Sequence, residues 1–461
     1  MNPNFSPYLQ KRIAMNTLVK LRHVLFVLIL LSSFSVAAIE PFPSGTDGKL
    51  FTVEGSNTVG AKLAPSWVKS WMEAKGATNV SVEPQKNPNE YRVSGTLKNG
   101  SIYVDLHAHG STTGFKGLLV GTADIAMASR GIKSSEVSAL SATYGDMHSL
   151  SAEHVVAIDG LAIIANSQNP VDSLSVSQIA RIFSGEINNW ADVGGANRAI
   201  SIYARDSESG TWDTFKNLVL AKTYTLSEKA QRFESNDELS DSVSSDAGGI
   251  GFVGLASVRK SKAMAINENN TTPLKPEVIY VATEDYALSR RLYMYTPEQP
   301  RNTFVTDFIE YAHGEAGQTI VEKIGFISQN PIKSKVAELE GPKEYQQLAR
   351  YAERLSVNFR FKAGASSLDN KAKKDIIRLT NYLKSNKLDK LKIQLVGFSD
   401  SEDSDNRAEV LSRLRASAVK IALFRNGIKS EPVLGYGSDL LVANSNGSGS
   451  GKNSRVEVWL Y

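Results

Sequence analysis

A chain of 461 residues with 41% hydrophobic content holds apolar material for two or three ordinary cores, which excludes a disordered polymer. The formal charge of +4 is supplied by residues 1–38, which carry Lys11, Arg12, Lys20 and Arg22 and no acid; beyond them the basic residues fall from 52 to 48 and balance 48 acids. That neutrality excludes the clustered Lys and Arg of an electrostatic nucleic-acid surface, and the absence of cysteine excludes disulfides, thiolate metal sites, cysteine nucleophiles and a lipid-modified amino-terminal Cys.

The amino terminus reads as an export signal over residues 1–38. A basic stretch precedes an apolar run at 24–31, continued weakly through Phe34, and Ser35-Val36-Ala37-Ala38 supplies small residues for cleavage. Met15 is an alternative start. The apolar core is shorter than the roughly 20 residues a membrane-spanning helix needs.

From about residue 50 to 332, short β-rich runs alternate with amphipathic helical patterns, which predicts an α/β fold. Phe51-Thr52-Val53 leads through Gly55-Ser56-Asn57-Thr58 into a helix with Leu63, Trp67 and Trp71 on one stripe. Residues 102–106 alternate as a strand, 161–165 form an apolar run expected to be a strand buried on both faces, and 175–183 and 211–221 read as helical. Residues 336–354 turn polar and helical, a connecting element with a break at Gly341-Pro342.

The carboxy-terminal part has its own pattern. Phe359 and Phe361 mark a strand, 368–383 a helix, and 391–396 another strand. A long helix is predicted over 407–425, its apolar stripe made by Val410, Leu411, Leu414, Ala418, Ile421 and Ala422, with Gly427 where a carboxy-terminal cap falls. Val456, Val458 and Leu460 alternate with Glu457, Trp459 and Tyr461 as a final strand, and the Gly/Ser-rich run 444–451 reads as a flexible loop. The expected division is therefore 50–332 as a two-lobe unit (one lobe 50–157 with 285–332, the other 158–284), 333–354 as a connector and 355–461 as a smaller domain. The five tryptophans are expected in cores or interfaces.

Two constellations carry chemistry. A tetrahedral oxyanion needs many short hydrogen bonds from all directions, and serine and threonine hydroxyls beside helix-start amides supply them in little volume. Three Gly/Ser/Thr clusters lie at predicted strand-to-helix switches: Ser56-Asn57-Thr58-Val59, Gly110-Ser111-Thr112-Thr113 and Ser209-Gly210-Thr211, the last near Arg205. Any one of them alone reads equally as an N-capped turn. Farther on, Asp400 closes a strand and Arg415 lies two turns into the next helix. Opposite charges on a rigid scaffold suit a ligand bearing both an ammonium and a carboxylate, or form a structural salt bridge. His107 and His109 lie two apart on one strand without an evident third ligand, so no metal is predicted, and no cofactor.

The stretch from about residue 50 to 331 resembles the PstS-like periplasmic phosphate-binding proteins of ABC transporters. The resemblance rests on Ala108-His109-Gly110-Ser111-Thr112-Thr113, residues 121–130 (GTADIAMASR), Ile182-Phe183-Ser184-Gly185, Trp190, residues 205–211 (RDSESGT), residues 248–252 (GGIGF) and Gly317-Gln318. It implies a two-lobed, type II-like periplasmic-binding-protein fold closing on one anion. It also implies Ser56, Thr58, Val59, Ser111, Ser129, Arg205, Ser209, Gly210 and Thr211 at inorganic phosphate. Where several members carry an aspartate for the proton of hydrogen phosphate, this chain has Ser129-Arg130, which weakens the expected discrimination against sulfate. Glu208 stands where glycine is common.

Residues 355–461 resemble the OmpA-like peptidoglycan-binding domain, a small α/β unit. Gly397-Phe398-Ser399-Asp400 stands for its Gly-His-Thr-Asp, Leu411-Ser412-Arg413-Leu414-Arg415-Ala416 for its Leu-Ser-x-x-Arg-Ala, and Asn453-Ser454-Arg455-Val456-Glu457 for its Asn-Arg-Arg-Val-Glu. The resemblance implies that Asp400 and Arg415, with Ser399 and Arg455, hold the diaminopimelate of peptidoglycan. Phe398 and Ala408 depart from the usual histidine and asparagine. The expectation is a periplasmic, wall-associated phosphate-binding protein without enzymatic activity, with an ABC permease as a possible partner. A phosphomonoesterase on the same scaffold and a structural envelope protein that binds nothing are the alternatives.

Overall fold

The computed structural model describes residues 39–461 apart from 208, 222, 234, 269–270, 337–340, 362–366, 401–403 and 444–449. The export signal, Glu208 and most of the Gly/Ser-rich run therefore lie outside the described residues. Strand β1 (Gly48–Gly55) runs into a one-turn helix α1 (Asn57–Gly60) and then α2 (Leu63–Ala74). The meander β2 (Thr78–Pro84), β3 (Glu90–Leu97) and β4 (Gly100–His107) follows, and β4 pairs parallel with β1. Next come α3 (Ser111–Val120), β5 (Ile125–Ala128), parallel to β1, and α4 (Ser134–Tyr144).

The long strand β6 (Glu153–Ala165) carries the chain into a second unit. Its elements are β7 (Ser173–Ser175), α5 (Val176–Ser184), β8 (Ser201–Arg205), α6 (Gly210–Phe215), β9 (Gln231–Phe233), α7 (Asn236–Ser245), β10 (Gly249–Gly254), β11 (Lys262–Ala263), β12 (Ala265–Asn267) and α8 (Val278–Ala282). The chain returns along β13 (Ser289–Tyr295), antiparallel to β6, to α9 (Thr303–His313) and α10 (Glu315–Ile324). One sheet of 11 strands results, in the order β2-β3-β4-β1-β5-β13-β6-β10-β8-β9 with β11 beside β6. The apolar run predicted at 161–165 is the buried end of β6 at the middle of this sheet, as expected for a strand covered on both faces.

Two cores flank that crossing. In the first, the predicted α2 stripe of Leu63, Trp67 and Trp71 is fully buried against Phe51 and Phe308. In the second, Phe215 stacks on Phe252 at 4.0 Å beside Phe183 and Trp190. Helix α5 starts with a reciprocal capping box between Ser175 and Gln178 and stops at left-handed Gly185, so its limits follow from local chemistry. All five tryptophans are buried.

The carboxy-terminal unit consists of β14 (Lys333–Ser334), α11 (Lys343–Tyr351), β15 (Glu353–Arg360), α12 (Asn370–Ser385), β16 (Ile393–Phe398), α13 (Asp405–Arg425), β17 (Leu434–Gly435) and β18 (Arg455–Leu460). Its sheet runs β14-β15-β18-β16-β17 around a third core that includes Leu355, Leu379, Val419 and Val458. No helix among the described residues is long and apolar enough to cross a membrane.

Three readings change. The connecting helix ends at Tyr351, and Glu353 and Arg354 open β15 instead. Strand β18 is buried on both faces, Glu457 and Trp459 included, because α11 covers the side expected to face solvent. Half of the predicted stripe of α13 points outward: Val410, Leu414 and Ile421 are 58%, 55% and 53% exposed, whereas Leu411 and Ala418 are half-buried and Ala422 packs against the core. The buried face is Ala408, Ser412, Arg415, Ala416, Val419 and Leu423. Here α13 lies so close to the sheet that a Cβ on Gly397 or Gly435 would overlap the backbone or side chain of Ser412. Small side chains, not the greasiest ones, select the inner face.

Candidate functional site

The three hydroxyl-rich turns all follow carboxyl ends of strands, where open α/β sheets present ligand sites. Ser56–Val59 leaves β1, Gly110-Ser111 leaves β4, Ser129 follows β5, and Arg205 ends β8 just before Ser209-Gly210-Thr211 starts α6. Within the first lobe they are tied together. The Gly110 amide donates to the Gly55 carbonyl at 2.7 Å, the Ser56 amide to the Met127 carbonyl at 2.9 Å, and the Ser129 amide to Ser111 Oγ at 3.1 Å. Gly55 has φ +134°, and a Cβ there would overlap the Met127 carbonyl, so only glycine lets β1 turn this tightly beside β5. Val59 is fully buried, which leaves its amide as the group it can offer a ligand.

The second lobe meets the first here: α1 and α6 come within 8 Å, Cα to Cα. Ser209 Oγ accepts from the Thr211 and Trp212 amides at 3.2 and 3.3 Å and so caps α6. The buried Arg205 donates from Nε to the Phe233 carbonyl at 3.1 Å, and its Nη2 lies 3.5 Å from Asp206 Oδ2. Arg130 is turned toward Glu136 in a two-pronged pair at 2.8 and 2.7 Å, with Nη2 also 3.2 Å from Thr112 Oγ1.

Sequence reasoning missed Arg290. It lies on β13 opposite Asp159 of β6, in the strands that join the lobes. Its Nε donates to Asp159 Oδ2 at 3.1 Å and its Nη2 donates to Thr58 Oγ1 at 3.0 Å. The available signal was Arg290-Arg291, two cations inside a strand of Leu, Tyr and Met.

In the carboxy-terminal unit Asp400 and Arg415 are 7% and 8% exposed. Arg415 Nη1 donates to Ser399 Oγ at 2.7 Å and Ser454 Oγ at 2.8 Å, and its guanidinium lies 5.5 Å from the Phe361 ring centre. Asn453 Nδ2 donates to Asp400 Oδ2 at 3.3 Å, which brings the three sequence motifs of this unit to one spot. Arg455 departs from the expectation. It is buried on the opposite side of β18, Nε 3.1 Å from Glu457 Oε1 and 3.7 Å from Asp285 Oδ1, with its guanidinium over Phe398. Ser454, just before β18, meets Arg415 while Arg455 turns to Glu457 and Asp285, so the structure does not bring these two neighbours together. Phe398 and Ala408 are core residues.

His107 and His109 do not converge. His107 Nδ1 faces Glu54 at 3.4 Å and His109 Nε2 faces Glu90 at 3.0 Å. Hydrogen bonding by Glu54 raises the pKa of His107.

With this geometry in hand, comparison with known proteins finds the pattern of a PBP superfamily domain over residues 55–315 and that of the OmpA family over residues 360–455. Protein SphX of Synechococcus elongatus is 32% identical over 242 residues, 50% of this chain and 70% of that one. The phosphate-binding protein PstS of Borreliella burgdorferi is 29% identical over 235 residues, 50% of this chain and 81% of that protein. PstS of Pseudomonas aeruginosa is 27% identical over 335 residues, 66% and 91% of the two chains. Among solved structures, an ABC-type phosphate transport receptor from Vibrio cholerae aligns with a TM-score of 0.45 at 26% identity, over 60% of this chain and 99% of the other.

Proposed function

We propose that this chain, which belongs to the PBP superfamily and carries a carboxy-terminal OmpA-family domain, captures inorganic phosphate between two lobes while attached to peptidoglycan. The observation that carries the reading is the approach of α1, which follows Ser56 in the lobe that also ties Ser111 to Ser129, to α6, which starts just after Arg205 and Ser209 in the other lobe. Amides of Val59 and Gly210, hydroxyls of Ser56, Thr58, Ser111, Ser129, Ser209 and Thr211, and the Arg205 guanidinium surround the anion as donors. Arg290 supports Thr58 from behind. The relatives named phosphate-binding proteins point to the same ligand.

Capture proceeds by hinge closure about β6 and β13, with the anion's water exchanged for fixed dipoles and no covalent step. At the other end, Asp400 receives the ammonium and Arg415 the carboxylate of diaminopimelate, with Ser399 orienting Arg415. The trap comprises residues 50–332, and the connector 333–354 is built into the sheet and core of the wall-binding domain that continues to residue 461. The protein acts in the periplasm after export, delivering phosphate to an ABC permease or retaining it at the wall.

Calorimetric titration of the full mature chain with phosphate and with sulfate tests the reading. Phosphate binds, and Arg205→Ala weakens binding by about 1.5–3 kcal/mol, the range for a charge-assisted hydrogen bond. A chain that takes up neither anion refutes the trap. Turnover of an aryl phosphate would make it an enzyme.

A further inference from the structure

The carboxy-terminal unit does not hang from its connector; it is fastened to both lobes at the back of their hinge. One set of contacts grips residues 283–289; the sequence division counts 285 onward with the first lobe, but Tyr286, Ala287 and Leu288 pack in the second-lobe core. Arg354 and Arg360 reach Asp285 at 2.6 and 3.0 Å, Asn358 Nδ2 donates to Asp285 Oδ1 at 2.8 Å, and Lys452 Nζ donates to the Ala287 carbonyl at 3.2 Å. Burial would raise the pKa of Asp285, but the arginines around it hold it down at about 2, so this buried contact is ionic.

A second set grips the first lobe. Asn370 Nδ2 donates to the His148 carbonyl at 2.8 Å, Lys374 Nζ lies 3.1 and 3.0 Å from ring nitrogens of His154 and His313, and Arg378 donates to Gln329 Oε1 at 2.9 Å. Between the two sets, Arg291 donates to Asp369 at 2.8 Å. Arg291 neighbours Arg290 on β13, and alternation sends Arg290 to Thr58 on the anion side and Arg291 to the carboxy-terminal unit. The same division recurs at the start of β18. Lys452 and Arg455 reach the second lobe, whereas Asn453 and Ser454 reach Asp400 and Arg415.

We infer that the OmpA-family domain is a brace across the hinge that biases the lobes toward the closed angle, so that anion capture and wall capture are energetically linked. A hinge that opens must change the distance between 283–289 and the His154–His313 face, and a rigid body bonded to both cannot follow without breaking either the ion pairs of the first set or the hydrogen bonds of the second. Loosening the brace therefore favours opening and weakens the anion site. Linkage makes the effect reciprocal, since whatever the wall ligand does to anion affinity, the anion does to wall affinity by the same factor. The linkage rests on the ligand assignments proposed above. The brace itself does not.

Asp369→Asn with Lys452→Met tests it in the full chain. Asparagine can still cap α12 through the oxygen that accepts from the Ala372 amide, while the ion pair with Arg291 is lost. Because the chain has no cysteine, Lys98→Cys and Lys229→Cys, one on each lobe, accept spin labels cleanly. Electron–electron distance measurements without ligand should give one narrow interlobe distribution for the parent and a broader, longer one for the double variant. An unchanged distribution overturns the brace, whatever the protein binds. With inorganic phosphate and a soluble diaminopimelate-containing tripeptide as probes, the double variant should bind phosphate about fivefold or more weakly. In the parent each probe should shift the other's Kd by one common factor, and that shift should shrink in the double variant. Two ligands that bind with no mutual shift overturn the linkage while leaving the functional reading intact. A chain that binds neither probe fails the functional reading, and the distance distributions still decide the brace.

Discussion

Arg290→Met removes a cation that the proposed anion site needs at one remove. Thr58 Oγ1 accepts from Arg290 Nη2 at 3.0 Å, and a hydroxyl whose lone pair is occupied keeps its proton for another acceptor. The guanidinium thereby aims the Thr58 hydroxyl into the cleft and adds its own field. A unit positive charge roughly 5 Å from an anion attracts it by about 3 kcal/mol at an effective dielectric constant near 20. Asp159, 3.1 Å from Arg290 on the far side, cancels part of that. The net loss should be about 1–2 kcal/mol, or roughly 5- to 30-fold in Kd, read by titration calorimetry with phosphate. Asp159→Asn is the matched control, because it uncovers the same guanidinium and should tighten binding. Both proteins must keep their lobes folded, checked by thermal unfolding, since stranding Asp159 also costs stability. Wild-type affinity in Arg290→Met together with no change in Asp159→Asn would sink the reasoning.

With Arg130 committed to Glu136 and Ser129-Arg130 where the family resemblance led to the expectation of an aspartate, phosphate affinity should hold or rise from pH 6 to 8, and sulfate should compete; sulfate failing at large excess would mean another acceptor, with Glu208→Gln the next variant. Asp400→Ala or Arg415→Ala should abolish most co-sedimentation with diaminopimelate-containing peptidoglycan while phosphate binding persists. Two folded variants that sediment like the parent would remove these residues from wall binding. Burial, reinforced by Lys374, pushes the His154 pKa down to about 3, so between that value and the unfolded-state pKa of about 6.5 the unfolded chain binds a proton that the folded chain refuses. Stability is whole above that window and falls as pH drops into it, by about 2 kcal/mol at pH 5. His154→Gln should flatten the pH dependence of the unfolding midpoint, and an equally steep dependence in that variant would exclude His154 as its source.

The parts of the molecule legible in the sequence were those where one local cause decides. The Leu63-Trp67-Trp71 stripe, the 161–165 strand and the cap at Gly427 each follow from periodicity or backbone freedom, and each is present. The hydroxyl-rich turns were legible because glycine, serine and threonine cluster where a strand ends and a helix starts. What failed depended on partners far along the chain. The inner face of α13 is set by how closely Gly397 and Gly435 approach Ser412, and hydrophobicity counted along the helix is blind to that. Arg455 sits in a family motif yet serves Glu457 and Asp285, a role visible only once residue 285 lies beside residue 455. Arg290 was hidden for the same reason, since its meaning comes from Thr58, 232 positions away.

The pairing of β6 with β13 also dictates how the protein can be made. Arg290 and Asp159 are bonded although they lie 131 positions apart in the chain, and β13 lies between β5 and β6 in the finished sheet. The first lobe therefore remains an incomplete sheet with open strand edges until synthesis has passed residue 295. Long-range pairing of this kind is slow, because the loop must close before any contact rewards it. A nascent chain ending near residue 285 would expose the edges of β5 and β6 together, a template for aggregation. The first lobe should thus be unobtainable as a truncated fragment, and a holding factor that shields unpaired edges would raise the yield of the whole chain.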